Sequence, residues 1–165
     1  MTAIALDPAA LAALTAWETS LFSAPARPAV RAVAPPSGGV SVDDLVDEAR
    51  ATYERISVRA AYQLVLFGRA VLVDIRPEAQ RRAEGEVAPS LGPVVVERNV
   101  LEWRFDPRSS ARLPWVTEAT QVLVLCQEGY ASSLAAATLV RLGVRATDVV
   151  GGLRAWREAG LPLAS

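Results

Sequence analysis

The chain has 165 residues, of which 52% are hydrophobic and 21% charged, and its formal net charge is −1. This balance predicts one globular domain with an extension and does not favour nucleic-acid binding. Histidine and lysine are both absent, which excludes histidine-dependent nucleophilic catalysis, imidazole metal ligands and lysine Schiff bases.

A single cysteine, Cys126, cannot form an internal disulfide or a thiolate metal cluster, so we predict no metal site and no cofactor. The N-terminus has no basic segment ahead of Asp7 and is a poor match to a signal peptide. No apolar run approaches the ~20 residues of a membrane span. We therefore expect a cytoplasmic protein without a membrane partner, in which the thiol stays reduced.

The first predicted element is a helix over residues 7–23, because Asp7 can cap it and Pro8 suits its first position. An apolar stripe from Leu11 to Leu21 recurs at helical spacing. We expect this stripe to dock on the domain body. The alternative is a docking surface for a partner protein or for a second subunit in a dimer.

A linker is predicted over residues 24–39, which are rich in proline, alanine and glycine. The sequence therefore divides into an N-terminal helix and linker, residues 1–40, and a domain, residues 41–165. A helix begins the domain at Ser41, which forms a capping-box pattern with Asp44, and is predicted to run to about residue 55. Another helix is predicted over 58–67, ending at Gly68.

Three apolar runs rich in valine and one shorter run predict buried strands. Helical patterns lie between several of them, which predicts an α/β domain with a mostly parallel sheet and helices on both faces. The runs are "AVLVDIRP" (70–77), "GPVVVERN" (92–99), "QVLVLC" (121–126) and "TDVV" (147–150).

Three chemically useful side chains lie at or just past the ends of these strands, namely Asp74, Arg98 and Cys126. Ligands of parallel sheets bind outside the carboxyl ends of the strands. We therefore expect these three residues to share one crevice.

The loop that follows Cys126 is short and contains Gly129, which permits a positive φ. Such a loop can turn its N–H groups inward as an anion-binding nest, and the next helix, predicted to start at Ser132 or Ser133, adds the positive end of its dipole. Both effects stabilise a thiolate relative to a thiol. The alternative is a buried cysteine that acts only as a small hydrophobic residue.

Three motifs together resemble the rhodanese family of single-domain sulfurtransferases over about residues 55–163. "CQEGYAS" (126–132) is similar to the C-x-x-G-x-x-S active-site loop, "LVDIRP" (72–77) to the strand with the D-x-R motif, and "DVVGGLRAW" (148–156) to the C-terminal G-G-x-x-x-W signature. The resemblance implies a three-layer α/β/α domain with a mostly parallel five-stranded sheet. It also implies sulfur transfer from a small-molecule or protein donor, such as thiosulfate or a persulfide, to a thiol or cyanide acceptor.

The resemblance implies a role for each site residue. Cys126 is the nucleophile that carries the transferred sulfur as a persulfide. Asp74 and Arg76 brace the active-site loop and line its approach. Backbone amides stabilise the persulfide, and they belong to the loop residues Gln127, Glu128, Gly129, Tyr130, Ala131 and Ser132.

The sequence departs from the rhodanese pattern at two places that bear on activity. Many active members carry a basic residue inside the loop to attract thiosulfate, whereas this loop has Glu128 instead. Arg98 would compensate if it pointed into the crevice. The usual G-H-I-P-G-A segment is replaced by "GEVAPSLGP" (85–93), which has no histidine.

Three alternative functions remain open at this point. Related phosphatases and arsenate reductases use a C-x5-R loop, and Ser132 occupies the position of that arginine. Other rhodanese-like domains act as binding modules without catalysis, although these often lack the cysteine. A third alternative is a persulfide carrier that passes sulfur between proteins.

Overall fold

The computed structural model describes residues 38–164. The helix predicted over residues 7–23 and nearly all of the predicted linker lie outside the described residues, so their docking role stays a prediction. Within the described part of the chain, no helix is both long enough and apolar enough to cross a membrane.

The centre of the domain is a four-stranded sheet in which all strands are parallel, in the order β2-β1-β3-β4. The prediction of a mostly parallel α/β sheet is confirmed, with one strand fewer than the predicted five. The strands are β1 (Val71–Asp74), β2 (Val94–Val95), β3 (Gln121–Leu125) and β4 (Arg145–Asp148).

Among residues 38–164 the sheet has no fifth strand, and beyond β4 there is only a single bridge. There, Ile56 pairs in parallel with Val149, but the pairing does not extend to neighbouring residues. The strand predicted over 92–99 is also shorter than expected. It pairs with β1 only at Val94 and Val95, and the chain then turns into a 3-10 helix at Arg98–Val100.

Six α-helices flank the sheet in residues 38–164. They are α1 (Val42–Arg50), α2 (Val58–Leu66), α3 (Glu78–Glu84), α4 (Leu101–Phe105), α5 (Ala131–Arg141) and α6 (Gly152–Glu158). The predicted capping box at Ser41 is present, and α2 is followed by Gly68 with φ +64°, as expected. Two predicted boundaries are wrong: α1 ends at Arg50 rather than near residue 55, and α5 begins at Ala131.

The core consists of two hydrophobic clusters on opposite faces of the sheet, because successive side chains of a strand point to opposite faces. Val122 and Val124 of β3 pack in one cluster with α4 and α5, whereas Leu123 and Leu125 pack in the other with α2 and α6. Both faces of β3 are therefore covered, which explains its uninterrupted apolar sequence. This packing fixes the carboxyl end of β3, where Cys126 follows.

Candidate active site

The candidate site is the tight loop that joins β3 to α5. Cys126 follows the last residue of β3, and Gly129 turns the chain with φ +82°. The N–H groups of Gly129 and Ser132 donate to the sulfur of Cys126 at 3.2 and 3.4 Å, and the Ser132 hydroxyl lies 3.2 Å from the same atom. The predicted convergence of loop amides on the thiol is therefore present for two of the loop residues.

The Cys126 side chain lies at the wall of a cavity of about 450 Å³. The residue is only 7% exposed, so its sulfur is largely shielded from water but faces an open space. The cavity is lined by Gln80, Glu84, Cys126, Gln127, Glu128, Tyr130 and Ala131. Four of the predicted loop residues thus line the cavity together with the cysteine, and two further lining residues come from α3.

The beginning of α6 holds the first two carbonyl groups of the loop. The N–H of Leu153 donates to the carbonyl of Cys126 at 2.9 Å, and the N–H of Arg154 donates to that of Gln127 at 3.0 Å. This contact requires a glycine at position 152, because a Cβ there would lie 2.3 Å from the Cys126 carbonyl oxygen. The G-G pair of the C-terminal motif therefore positions the loop through a close backbone approach.

Solved structures that are similar to this chain include a protein of unknown function, a rhodanese-related protein and a polysulfide-sulfur transferase. A protein of unknown function from Rhodopseudomonas palustris, described as a possible tyrosine phosphatase, is 29% identical with a TM-score of 0.69, over 79% of this chain and 98% of that one. A rhodanese-related protein from Thermoplasma volcanium is 22% identical with a TM-score of 0.53, over 68% and 98% of the two chains. The polysulfide-sulfur transferase homodimer from Wolinella succinogenes is 22% identical with a TM-score of 0.56, over 74% and 85%.

These similarities decide the fold. The described domain has a rhodanese-like fold. No protein-family model matches the chain, and no curated protein matches it.

In this rhodanese-like domain, the Asp74–Arg76 pair braces the loop from within the protein. Arg76 is 1% exposed and binds both carboxylate oxygens of Asp74, with the shortest distance, from Nη2 to Oδ2, at 2.6 Å. Its Nη1 donates to the Gln127 side chain at 3.2 Å, and its Nη2 donates to the Gly85 carbonyl at 2.9 Å. The pair contacts the loop as the resemblance implies, but neither residue lines the cavity.

Arg98 does not contribute to the cavity of the rhodanese-like domain. It lies at the start of a 3-10 helix, where its Nη1 binds the Glu102 carboxylate at 2.7 Å, and it is absent from the cavity wall. The physical reason is that β2 ends at Val95, so the chain has already turned before residue 98. The expectation that Asp74, Arg98 and Cys126 share one crevice is therefore wrong, because only Cys126 lines the cavity, and the condition under which Arg98 would compensate for Glu128 is not met.

A different arginine binds Glu128. Nη1 of Arg154, in α6, lies 2.5 Å from Oε1 of Glu128, and both side chains are about half exposed. The Glu128 carboxylate therefore lines the cavity as part of an exposed ion pair, which reduces but does not remove its repulsion of an approaching anion.

A buried polar network behind the loop was missed from the sequence, and its centre is Asp148 at the end of β4. This carboxylate is fully buried and binds Arg55 through two guanidinium nitrogens, each at 2.8 Å. It also accepts hydrogen bonds from Tyr53 at 2.9 Å, from Ser133 at 3.1 Å and from Ser132 at 3.3 Å. The strand-end position of Asp148 was not available from the sequence, because the predicted strand ran over 147–150 whereas β4 ends at Asp148.

The ionisation of the network follows from these contacts. Burial, and then the nearby Asp148 carboxylate, raise the pKa of Tyr53 well above its usual range. The hydrogen bonds that Arg55 donates to Asp148 raise the pKa of Arg55, and negative charge on Cys126 raises it further by a smaller amount. Tyr53 therefore remains a hydrogen-bond donor, and Arg55 remains a cation close to the sulfur.

We predict that Gly152→Ala destabilises the domain by about 2 kcal/mol more than Gly160→Ala, because the new Cβ must displace the loop. Gly160 is a matched control: it has a similar φ, +66° against +59°, but its Cβ would meet no atom within 4 Å. Urea unfolding of both variants gives the comparison. Equal losses of unfolding free energy would contradict the close approach between α6 and the loop.

Proposed function

We propose that the protein is a sulfurtransferase in which Cys126 carries a persulfide. The observation that supports this proposal is the position of the Cys126 sulfur, at a cavity wall with two backbone N–H groups donating to it. Donors fixed in this way stabilise negative charge on a sulfur without any rearrangement during the reaction. A cysteine that served only to fill the core would not need an adjoining cavity.

The proposed reaction has two displacement steps that both occur at sulfur. In the first, the Cys126 thiolate attacks the outer sulfur of the donor, and the donor's sulfur–sulfur bond breaks with its electron pair leaving on sulfite from thiosulfate, on a sulfinate from a thiosulfonate or on a thiolate from a persulfide. In the second, a thiolate or cyanide acceptor attacks the outer sulfur of the persulfide, and the Cys126 thiolate is regenerated. Neither step needs an external oxidant or reductant, because each exchanges one bond to the outer sulfur for another.

The charge of the cavity wall bears on the choice of donor. The charged side chains that line the cavity are Glu84 and Glu128, and no arginine lines it within residues 38–164. Coulomb repulsion from these carboxylates acts more strongly on dianionic thiosulfate than on a donor with one negative charge. We therefore propose a thiosulfonate-like or persulfide donor, small or protein-bound, in preference to free thiosulfate.

Phosphatase activity is the second candidate, and the description of the Rhodopseudomonas palustris protein favours it. The phosphate-binding arginine of a C-x5-R loop would occupy position 132, where this chain has a fully buried serine. The Ser132 hydroxyl is hydrogen-bonded to the Cys126 sulfur and donates to Asp148, and it offers a phosphate no positive charge. The loop therefore suits a single sulfur better than a phosphoryl group.

We predict that treatment with a thiosulfonate or a small persulfide increases the intact mass of the protein by one sulfur atom. Cyanide or an excess of thiol should remove the added mass, and Cys126→Ser should abolish its formation. The measurement is mass spectrometry of the intact, untreated and treated protein. A protein that gains no sulfur from any donor, but hydrolyses p-nitrophenyl phosphate in a Cys126-dependent manner, would reverse the order of the two candidates.

We predict that Glu128→Gln raises kcat/KM for thiosulfate about threefold, because the substitution removes one negative charge from the cavity wall. For methanethiosulfonate, an anion with one negative charge instead of two, the substitution should increase the logarithm of kcat/KM by about half as much as for thiosulfate. Arg154→Gln is the matched control and should lower kcat/KM for thiosulfate, because it leaves Glu128 unpaired. The same change for both donors would show that the Glu128 charge does not act on the substrate.

A further inference from the structure

Two arginines reach the active-site loop from outside it, at the carbonyl oxygen of Gly129. Nη2 of Arg50, the last residue of α1, lies 3.0 Å from this oxygen, and Nη2 of Arg55 lies 3.2 Å from it. The Ser133 hydroxyl lies 2.8 Å from the same oxygen, and its single proton is shared between this carbonyl and Asp148. One carbonyl group thus accepts from three donors, two of which are cationic.

Each arginine is fixed by further contacts. Asp148 binds Arg55 through two nitrogens, whereas Arg50 donates through Nε to the Ser133 hydroxyl at 3.1 Å. The Arg50 guanidinium also lies over the Tyr130 ring, 5.3 Å from its centroid. Hydrogen bonds and cation–π contact therefore keep both cations against the loop.

The carbonyl that the arginines hold belongs to a residue that contacts the sulfur directly. Gly129 donates its own N–H to the Cys126 sulfur at 3.2 Å. Contacts that fix the Gly129 carbonyl therefore also fix the residue whose N–H stabilises a thiolate, and a cation bound at this carbonyl adds positive charge to the loop.

We propose that Arg50 and Arg55 are positioning residues that hold Gly129, whose N–H donates to the sulfur, and that Arg50 supplies positive charge that the loop sequence lacks. The persulfide part of this role rests on the function proposed above, whereas stabilisation of the thiolate does not. Residues 126–132 contain no basic side chain and include Glu128. The cationic support of the sulfur comes instead from the end of α1 and the segment after it.

The two arginines contribute unequally. Asp148 neutralises Arg55 through a two-nitrogen ion pair, so this pair has little net charge. Arg50 binds the loop carbonyl, a hydroxyl and an aromatic ring, none of which is charged. The net positive charge behind the loop is therefore that of Arg50, and removal of Arg50 should affect the thiolate most.

The test is the pH profile of Cys126 alkylation by iodoacetamide, an uncharged reagent that reacts with the thiolate. We expect Arg50→Gln to move the half-maximal rate to higher pH by roughly half a unit or more. Arg50→Lys should restore most of the difference, because it keeps the charge. Arg69→Gln is the matched control and should leave the pH profile of alkylation unchanged. Arg69 is exposed and precedes the amino end of β1, whereas the site lies at the carboxyl ends of the strands.

A second variant keeps the test decisive if Arg50→Gln unfolds. The double variant Arg55→Gln with Asp148→Asn removes a neutral pair, and we expect it to shift the profile by less than about 0.2 pH unit. A larger shift in the double variant, or a folded Arg50→Gln protein with the wild-type profile, would overturn the proposal. Alkylation needs no sulfur donor, so a protein that never gains sulfur would refute the proposed function without altering this result.

Discussion

The site depends on one interaction, the donation of the Gly129 and Ser132 N–H groups to the sulfur of Cys126. A sulfur that accepts two backbone hydrogen bonds is held in a local excess of positive charge, although the loop has no basic side chain. The interaction requires a tight loop, since the two amides belong to residues three and six positions after the cysteine.

Several parts of the fold combine to keep this loop tight. Because the sheet is parallel, the carboxyl ends of β1, β3 and β4 lie on the same side of the domain. Asp74, Cys126 and Asp148 are therefore neighbours at the ends of adjacent strands. Arg76 contacts the loop from the β1 side, and the start of α6 holds its first two carbonyls. The buried Asp148 network supports it from behind. Buried charges of this kind are stabilising only when all partners are present, which is the case for both carboxylates.

The charged side chains on the two sides of the active-site loop have opposite sign. Guanidinium groups lie behind the loop, against the Gly129 carbonyl, whereas carboxylates line the cavity in front of the sulfur. This arrangement favours negative charge that is already bonded to Cys126, and it disfavours a free dianion that must cross the cavity. Such a site suits a protein that holds sulfur as a persulfide and receives it from a weakly charged donor.

The sequence was sufficient to predict the parts of the fold that local patterns determine. The apolar strands β1 and β3, the capping box at Ser41 and the loop after Cys126 all have strong local signals. The run of three valines at 94–96 was misleading, because at the edge of the sheet only two residues pair before the chain turns, and this error also misplaced Arg98. Arg50, Arg55 and Asp148 were missed because the contacts of the two arginines with Gly129 and Asp148 join residues 74 to 93 positions apart.

The most direct measurement of the central claim is a crystal structure of the donor-treated protein. We expect one additional sulfur atom bonded to the Cys126 sulfur, lying within hydrogen-bond distance of the loop N–H groups. An additional sulfur that points into the cavity, away from these amides, or a cysteine that remains unmodified while the donor is consumed, would contradict the claim that the backbone of this loop stabilises the persulfide.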